Sequence, residues 1–173
     1  MNVKFSTKFV AASAAAVMAL SLAGCSGGSM DDSSSSSAKA SGDSITIGTV
    51  TTNSGTAAAY GEAEVKGFEL AVSEINAKGG INGKKVKLES MDDKGDATEA
   101  SNAYNKLAGD NNVLAVAGPT ISATTAAVAP LADQSKLVTI APAATSDSIE
   151  TGNYLFRTCF KDSYQGEDRK SVV

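Results

Sequence analysis

The sequence predicts an α/β protein with an open parallel sheet, and three observations carry that expectation. From Ser44 onward, short β-branched or apolar runs alternate with segments of helical periodicity. Gly-Gly, Asn-Gly and Asp-rich breaks separate them. The segments between strands are long enough for helical crossovers, which join parallel strands in a right-handed sense.

Ile45, Ile47 and Val50 form the first β-branched run, which breaks at Thr51-Thr52-Asn53-Ser54-Gly55. A helix is predicted through GEAEVKGFELAVSEINAK, with Val65, Phe68, Ala71/Val72 and Ile75 on one face and Gly79-Gly80 as its stop. Asn82-Gly83 turns into a second strand carrying Val86, Leu88 and Met91 and ending at Asp92-Asp93. Asp96 is the expected N-cap of a second helix, with Ala97, Ala100, Tyr104 and Leu107 on one face and Gly109 near its end. Val113 to Ala117 is a continuous apolar run, the pattern of a strand covered on both faces. A third helix is predicted over Ser122 to Gln134, interrupted or kinked at Pro130. Leu137 to Ile140 reads as a fourth strand and Tyr154 to Arg157 as a fifth. The result is a Rossmann-like open sheet with helices on both faces. In such sheets ligands settle beyond the carboxyl ends of the strands. The loops of interest are therefore Thr51–Gly61, Gly118–Ser122 and Ala141–Ser148.

Those loops carry hydroxyls and small residues in place of catalytic groups. Ser122 is the leading candidate, because the unpaired N–H groups and positive dipole end of its helix suit a carboxylate, and its hydroxyl adds a donor. Serine is also a common helix cap, and the residues alone favour neither role.

Ahead of this domain, residues 1–24 read as an export signal. Lys4 and Lys8 precede an apolar stretch from Phe9 to Ala23, and Leu22-Ala23-Gly24-Cys25 has the form of a lipoprotein processing site. Small residues before Cys25 suit a peptidase cleft, and its thiol is the expected lipid acceptor. A plain signal peptide, or a lone buried cysteine, is the competing reading. Ser26 to Asp43, rich in Ser and Gly, is expected to be a tether spanning ~23 Å r.m.s.. Residues 25–43 thus form an anchor and linker, and 44–166 a single domain by size.

Composition removes several classes. The chain holds 15 Lys+Arg against 19 Asp+Glu, and loss of residues 1–24 takes two lysines and no acids, giving 13 − 19 = −6. An acidic chain without a basic cluster lacks the footprint for nucleic acid. With no histidine, a Ser-His-Asp arrangement is impossible, and G-x-S-x-G, G-x-G-x-x-G and P-loop patterns are absent from the sequence. No enzyme, cofactor or metal is expected. Asp92, Asp93 and Asp96 fail calcium-loop spacing because Lys94 occupies a ligand position, so a solvated turn is expected there. Lys84, Lys85 and Lys87 read as a solvent-facing strand edge, and Cys159 as a small buried thiol with no partner once Cys25 is lipidated.

The run from Gly48 to Ile149 resembles the amino-lobe of the leucine/isoleucine/valine-binding proteins, type 1 periplasmic receptors that feed ABC importers. The resemblance spans roughly Ile45 to Gly166 and includes AVSEINAKGGINGKKVKLESMDD, Gly118–Thr125, APAAT at Ala141–Thr145 and RTCFKDSYQG at Arg157–Gly166. It implies two α/β lobes joined by a hinge, closing on a free amino acid. It further implies that Ser122 and Thr145 hold the ligand carboxylate through N–H and hydroxyl groups. The carbonyl of Ala143 would accept from the ammonium, and Tyr60 would lie along the cleft. The implied partners are an ABC permease complex and, through Cys25, the membrane, which places the protein outside the cytoplasm. The acidic residue and aromatic walls of the family's second lobe have no counterpart here, nor does the disulfide of some relatives. EDRKSVV after Gly166 departs from the family's continuation, so residues 167–173 are read as a divergent tail on a fragment with one lobe, whose open half-site would bind weakly. A sensing lobe of a signalling receptor and a non-functional truncated product are the alternatives; the lipoprotein signal favours transport.

Overall fold

The computed structural model describes residues 44–149 and 152–172. The predicted export signal at 1–24, the lipid-acceptor Cys25 and the tether at 26–43 lie outside the described residues.

Strand β1 (Ser44–Thr51) pairs in parallel with β2 (Lys85–Asp92), from Ser44 opposite Lys85 to Thr51 opposite Asp92. On its other side β1 pairs with β3 (Val113–Ala117), followed by β4 (Val138–Ala141) and β5 (Leu155–Arg157), again all in parallel. The sheet order is therefore β2-β1-β3-β4-β5. Chain order reverses at β1, so the crevice between the carboxyl ends of β1 and β3 is the switch point where ligands bind in such sheets.

Helices α1 (Ala58–Ala77), α2 (Ala97–Ala108) and α3 (Ser122–Ser135) connect the strands, and α4 (Asp162–Val172) follows β5. Right-handed crossovers in this order put α1 on one face and α2 and α3 on the other. Accordingly α2 packs on β1, β2 and β3, and α3 packs on β4, β5 and α2. The core lies on this second face. Val50, Tyr104, Leu107, Val116, Val128 and Leu155 are all but sealed from solvent, and each large aliphatic buried there contributes roughly 1.5–3 kcal/mol. Tyr104 resolves its hydroxyl within that core against Ser135 Oγ at 3.1 Å and Thr139 Oγ1 at 3.2 Å.

The face under α1 is covered less. Among the strands α1 meets only β1 and β2. Ile140 and Phe156, paired across β4 and β5, remain 40% and 48% exposed, whereas the alternating Ala141 and Leu155 are buried. The predicted inward face of α1 is correspondingly half-buried at Val65, Phe68, Val72 and Ile75, and Ala71 is exposed.

Several boundaries move. α1 starts at Ala58, three residues before the expected Gly61, so Tyr60 sits in its first turn and not in a loop. Gly61, expected at the junction of loop and helix, is a packing residue inside α1: a Cβ there would lie 2.1 Å from the Thr52 carbonyl oxygen. α3 runs uninterrupted past Pro130. β4 is shifted one residue beyond the expected run, and α4 continues through Gly166 to Val172, so the residues read as a divergent tail belong to a helix.

The Asp92-Asp93 turn is not solvated as expected. Asp93 is fully buried, accepting from Thr52 Oγ1 at 2.6 Å and Gly95 N–H at 2.9 Å. Asp92 accepts from the N–H groups of Asn53 and Lys94. Among the described residues no cluster suits a metal ion, and no helix is long and apolar enough to cross a membrane. Cys159 is only half-buried and donates its thiol to the Ala144 carbonyl at 3.2 Å. Lys85 and Lys87 project from edge strand β2 into solvent as expected, whereas Lys84 precedes the strand and is half-buried.

Candidate functional site

Three chain segments meet at the switch point: the start of α1, the turn between β3 and α3, and the loop after β4. Gly118 makes the close approach possible. It has φ +117°, and a Cβ there would strike the Val50 carbonyl oxygen at 2.0 Å, so only glycine lets the end of β3 lie against β1. The turn then leads through Thr120 and Ile121 into α3.

Ile121 is the N-cap of α3, in extended conformation and without a side-chain cap. Ser122 is therefore the first helical residue and does not cap the helix. The N–H groups of the first turn have no intrahelical acceptor, and no acidic residue sits in that turn. The Ser122 hydroxyl oxygen accepts from the Ser146 N–H at 3.2 Å, which ties the start of α3 to the loop after β4 and leaves its proton free to donate.

That loop divides its polar groups by position. The Ala144 and Ser146 carbonyls accept from the Arg157 guanidinium at 3.3 and 2.9 Å, and the Ile149 carbonyl from its other nitrogen at 2.9 Å. The Thr145 carbonyl accepts from Asp162 N–H at 2.9 Å, and the Asp147 carboxylate from Ser163 N–H and Oγ, joining the loop to the start of α4. The Ser163 hydroxyl holds Asp147 below the usual carboxylate range; partial desolvation opposes this, and the Ser163 N–H, Lys161 and Arg157 assist. Among the described residues, no protein hydrogen bond uses the Ala143 carbonyl, the Thr145 N–H or the Thr145 hydroxyl.

A cavity of about 340 Å³ is lined by Ala57, Tyr60, Thr120, Ile121, Ser122, Ala143 and Thr145. All four residues singled out in the sequence, Ser122, Ala143, Thr145 and Tyr60, thus share one wall. Tyr60 is 67% exposed and also borders a second, mostly apolar hollow of about 460 Å³ with Ala143, Pro142 and Glu64. The chemistry available is recognition: an open helix end for an anion, two hydroxyls, and a free carbonyl for a donor. The cavity lining has no nucleophile paired with a base.

Sequence reasoning did not single out Thr120, Glu64 or Arg157. Thr120 is fully buried, takes the Thr52 N–H at 3.0 Å and donates to Glu64 Oε2 at 2.6 Å. Burial pushes the Glu64 carboxyl up, the Thr120 hydroxyl opposes this, and the nearby Asp93 adds to it. The only sequence signals were that Thr120 is two residues from Ser122 and that Arg157 opens RTCFKDSYQG.

The periplasmic binding protein family matches this chain over residues 44–168. A Leu/Ile/Val-binding protein of Rhizobium johnstonii is 37% identical over 125 residues, covering 71% of this chain and 34% of that protein. Among solved structures, the branched-chain amino acid transporter substrate binding protein LivJ of Streptococcus pneumoniae, in complex with isoleucine, superposes with TM-score 0.66 at 43% identity, over 69% of this chain and 35% of that one. An ABC transporter substrate-binding protein of Desulfitobacterium hafniense in complex with Leu gives TM-score 0.67 at 28% identity, over 75% and 38%. This chain spans about a third of the length of these relatives. Extent of match, identity and sheet topology agree: the chain belongs to the periplasmic binding protein family, whose members bind solutes and are not enzymes.

Proposed function

We propose that this chain forms one wall of an amino-acid cleft in an extracytoplasmic receptor that delivers branched-chain amino acids to an ABC permease. The observation that carries this reading is the convergence of the uncapped α3 start with the free Ala143 carbonyl and the free Thr145 hydroxyl on one cavity. The α3 amides and the Ser122 and Thr145 hydroxyls take the carboxylate. The Ala143 carbonyl takes the ammonium, and Tyr60 lies along the side chain. Relatives described as Leu/Ile/Val-binding, and structures holding isoleucine and leucine, support the ligand class. Binding without chemistry, closure of a second lobe and docking to the permease follow from this assignment, with the loaded form selected by closure. A lipid on Cys25 holds the protein to the outer side of the cell membrane, as the sequence of residues 1–25 supports.

A screen of free amino acids tests the reading. Leucine, isoleucine and valine at millimolar concentration are expected to raise the melting temperature, while D-isomers and N-acetyl-isoleucine do not. Water competes for the open side of the cavity, so the shift is expected to be small for residues 44–168 and larger in a chain with the full length of the relatives. No stabilisation by any amino acid in either would overturn the assignment. Cellular labelling with radioactive palmitate tests the anchor: wild type incorporates label and Cys25→Ser does not.

A further inference from the structure

Glu64 lies one helical turn before Phe68, on the inward side of α1, where it is a carboxylate among apolar residues. Its carboxyl turns into the loop cluster. Oε2 accepts from Thr120 Oγ1 at 2.6 Å, and that same hydroxyl oxygen accepts from the Thr52 N–H at 3.0 Å. The Thr52 hydroxyl donates to Asp93 Oδ1 at 2.6 Å, and Asp93 also receives the Gly95 N–H. One chain of hydrogen bonds thereby joins α1 to the carboxyl ends of β1, β2 and β3. Thr52, Asp93 and Thr120 are fully buried, and Thr120 lines the cavity two residues ahead of Ser122. Its hydroxyl has one proton and spends it on Glu64. Without that acceptor the buried hydroxyl loses its partner, and the turn that aims α3 loses its tie to α1.

We infer that Glu64 is a positioning residue of the ligand site, holding the Thr120 hydroxyl so that the turn before α3 presents its open amides to the cavity. The inference rests on the amino-acid reading above. The surroundings of Glu64 favour the protonated carboxyl more than water does. Glu64 Oε1 and Asp93 Oδ2 are both sealed from solvent with no hydrogen-bond donor among the described residues, which makes full negative charge on both carboxyls costly. Burial, then the charge of Asp93, favours that proton over the opposing Thr120 hydroxyl. The titratable groups facing it are Asp93 at the end of β2 and Tyr60 on α1; β1, β3 and the loop after β4 present Thr52, Thr120, Pro142 and Ala143, which carry no charge.

The test compares wild type, Glu64→Gln and Glu64→Ala, measuring isoleucine affinity and urea stability between mildly acidic and mildly basic pH. A raised folded pKa means that the contribution is present below the unfolded value and is lost as pH rises through the folded one. Wild type should therefore lose stability and affinity as pH rises. Glu64→Gln keeps an acceptor for Thr120, has a donor and cannot ionise, so it should bind as wild type does at low pH and show a flatter profile. Glu64→Ala should bind about tenfold more weakly than wild type at low pH, with the gap narrowing as pH rises, and with an unchanged circular dichroism spectrum. A Gln variant with the wild-type pH slope, or an Ala variant that binds like wild type at low pH, overturns the inference alone. No isoleucine binding by wild type overturns the amino-acid reading and the inference with it. If Glu64→Ala does not fold, the Gln profile decides.

Discussion

α2 and α3 both begin where a parallel strand ends, and their first turns are satisfied in opposite ways. At α2, Asp96 Oδ1 accepts from the N–H groups of Thr98 and Glu99 at 2.8 and 2.9 Å, and Glu99 adds negative charge to the turn. At α3 the corresponding residue is Ile121, which has no acceptor to offer, and the first turn has no acid. The α2 end contributes no residue to the cavity lining, whereas the α3 end opens onto it beside Ala143 and Thr145. A self-capped end stabilises the fold. An end left open where loops converge keeps its donors for something else, at a cost of about 1 kcal/mol in missing cap energy.

Giving α3 the cap it lacks should have the largest effect. Ile121→Asp is expected to leave the unliganded melting temperature close to wild type, since the new cap offsets a lost apolar contact. It should weaken carboxylate-ligand binding by about 3 kcal/mol through repulsion and competition for the same amides, read by titration with isoleucine. Equal affinity in wild type and variant would remove the α3 end from the binding surface. Next comes Ser122→Ala, expected to weaken the ligand-induced thermal shift by roughly 1–3 kcal/mol, because it removes a donor to the ligand and the acceptor of Ser146 N–H. An unchanged shift would assign Ser122 to loop tethering alone. Asp96→Ala should cost about 1 kcal/mol of stability in urea with no change in ligand affinity. A change in affinity there would show that the two helix ends are not independent.

The same contrast separates what was legible from what was not. Asp96 could be assigned as a cap from its place before the helical pattern, because cap and partners lie within three residues. Strand–helix alternation, Gly79-Gly80, and the apolar run at Val113–Ala117 were legible for the same reason. The fate of Asp93 was not: its partner Thr52 is 41 residues away, and a neighbouring aspartate with the same local look, Asp92, stays partly open. Glu64 was hidden in the helical pattern because its partner Thr120 is 56 residues distant. Gly61 was legible only as the junction of loop and helix, since sequence alone does not show which carbonyl will press against it.

Local chemistry in the chain thus determined the kinds of element, most of their limits, and the supply of hydroxyls and small residues at the strand ends. Periodicity and capping act within a few residues, so they are written in consecutive letters. Tertiary structure decided which helix end stays open, which carboxyls are buried, and that Ser122, Ala143, Thr145 and Tyr60 border one cavity. Burial and long-range hydrogen bonds depend on which distant segments a parallel sheet brings side by side, and that proximity exists only once the sheet has formed.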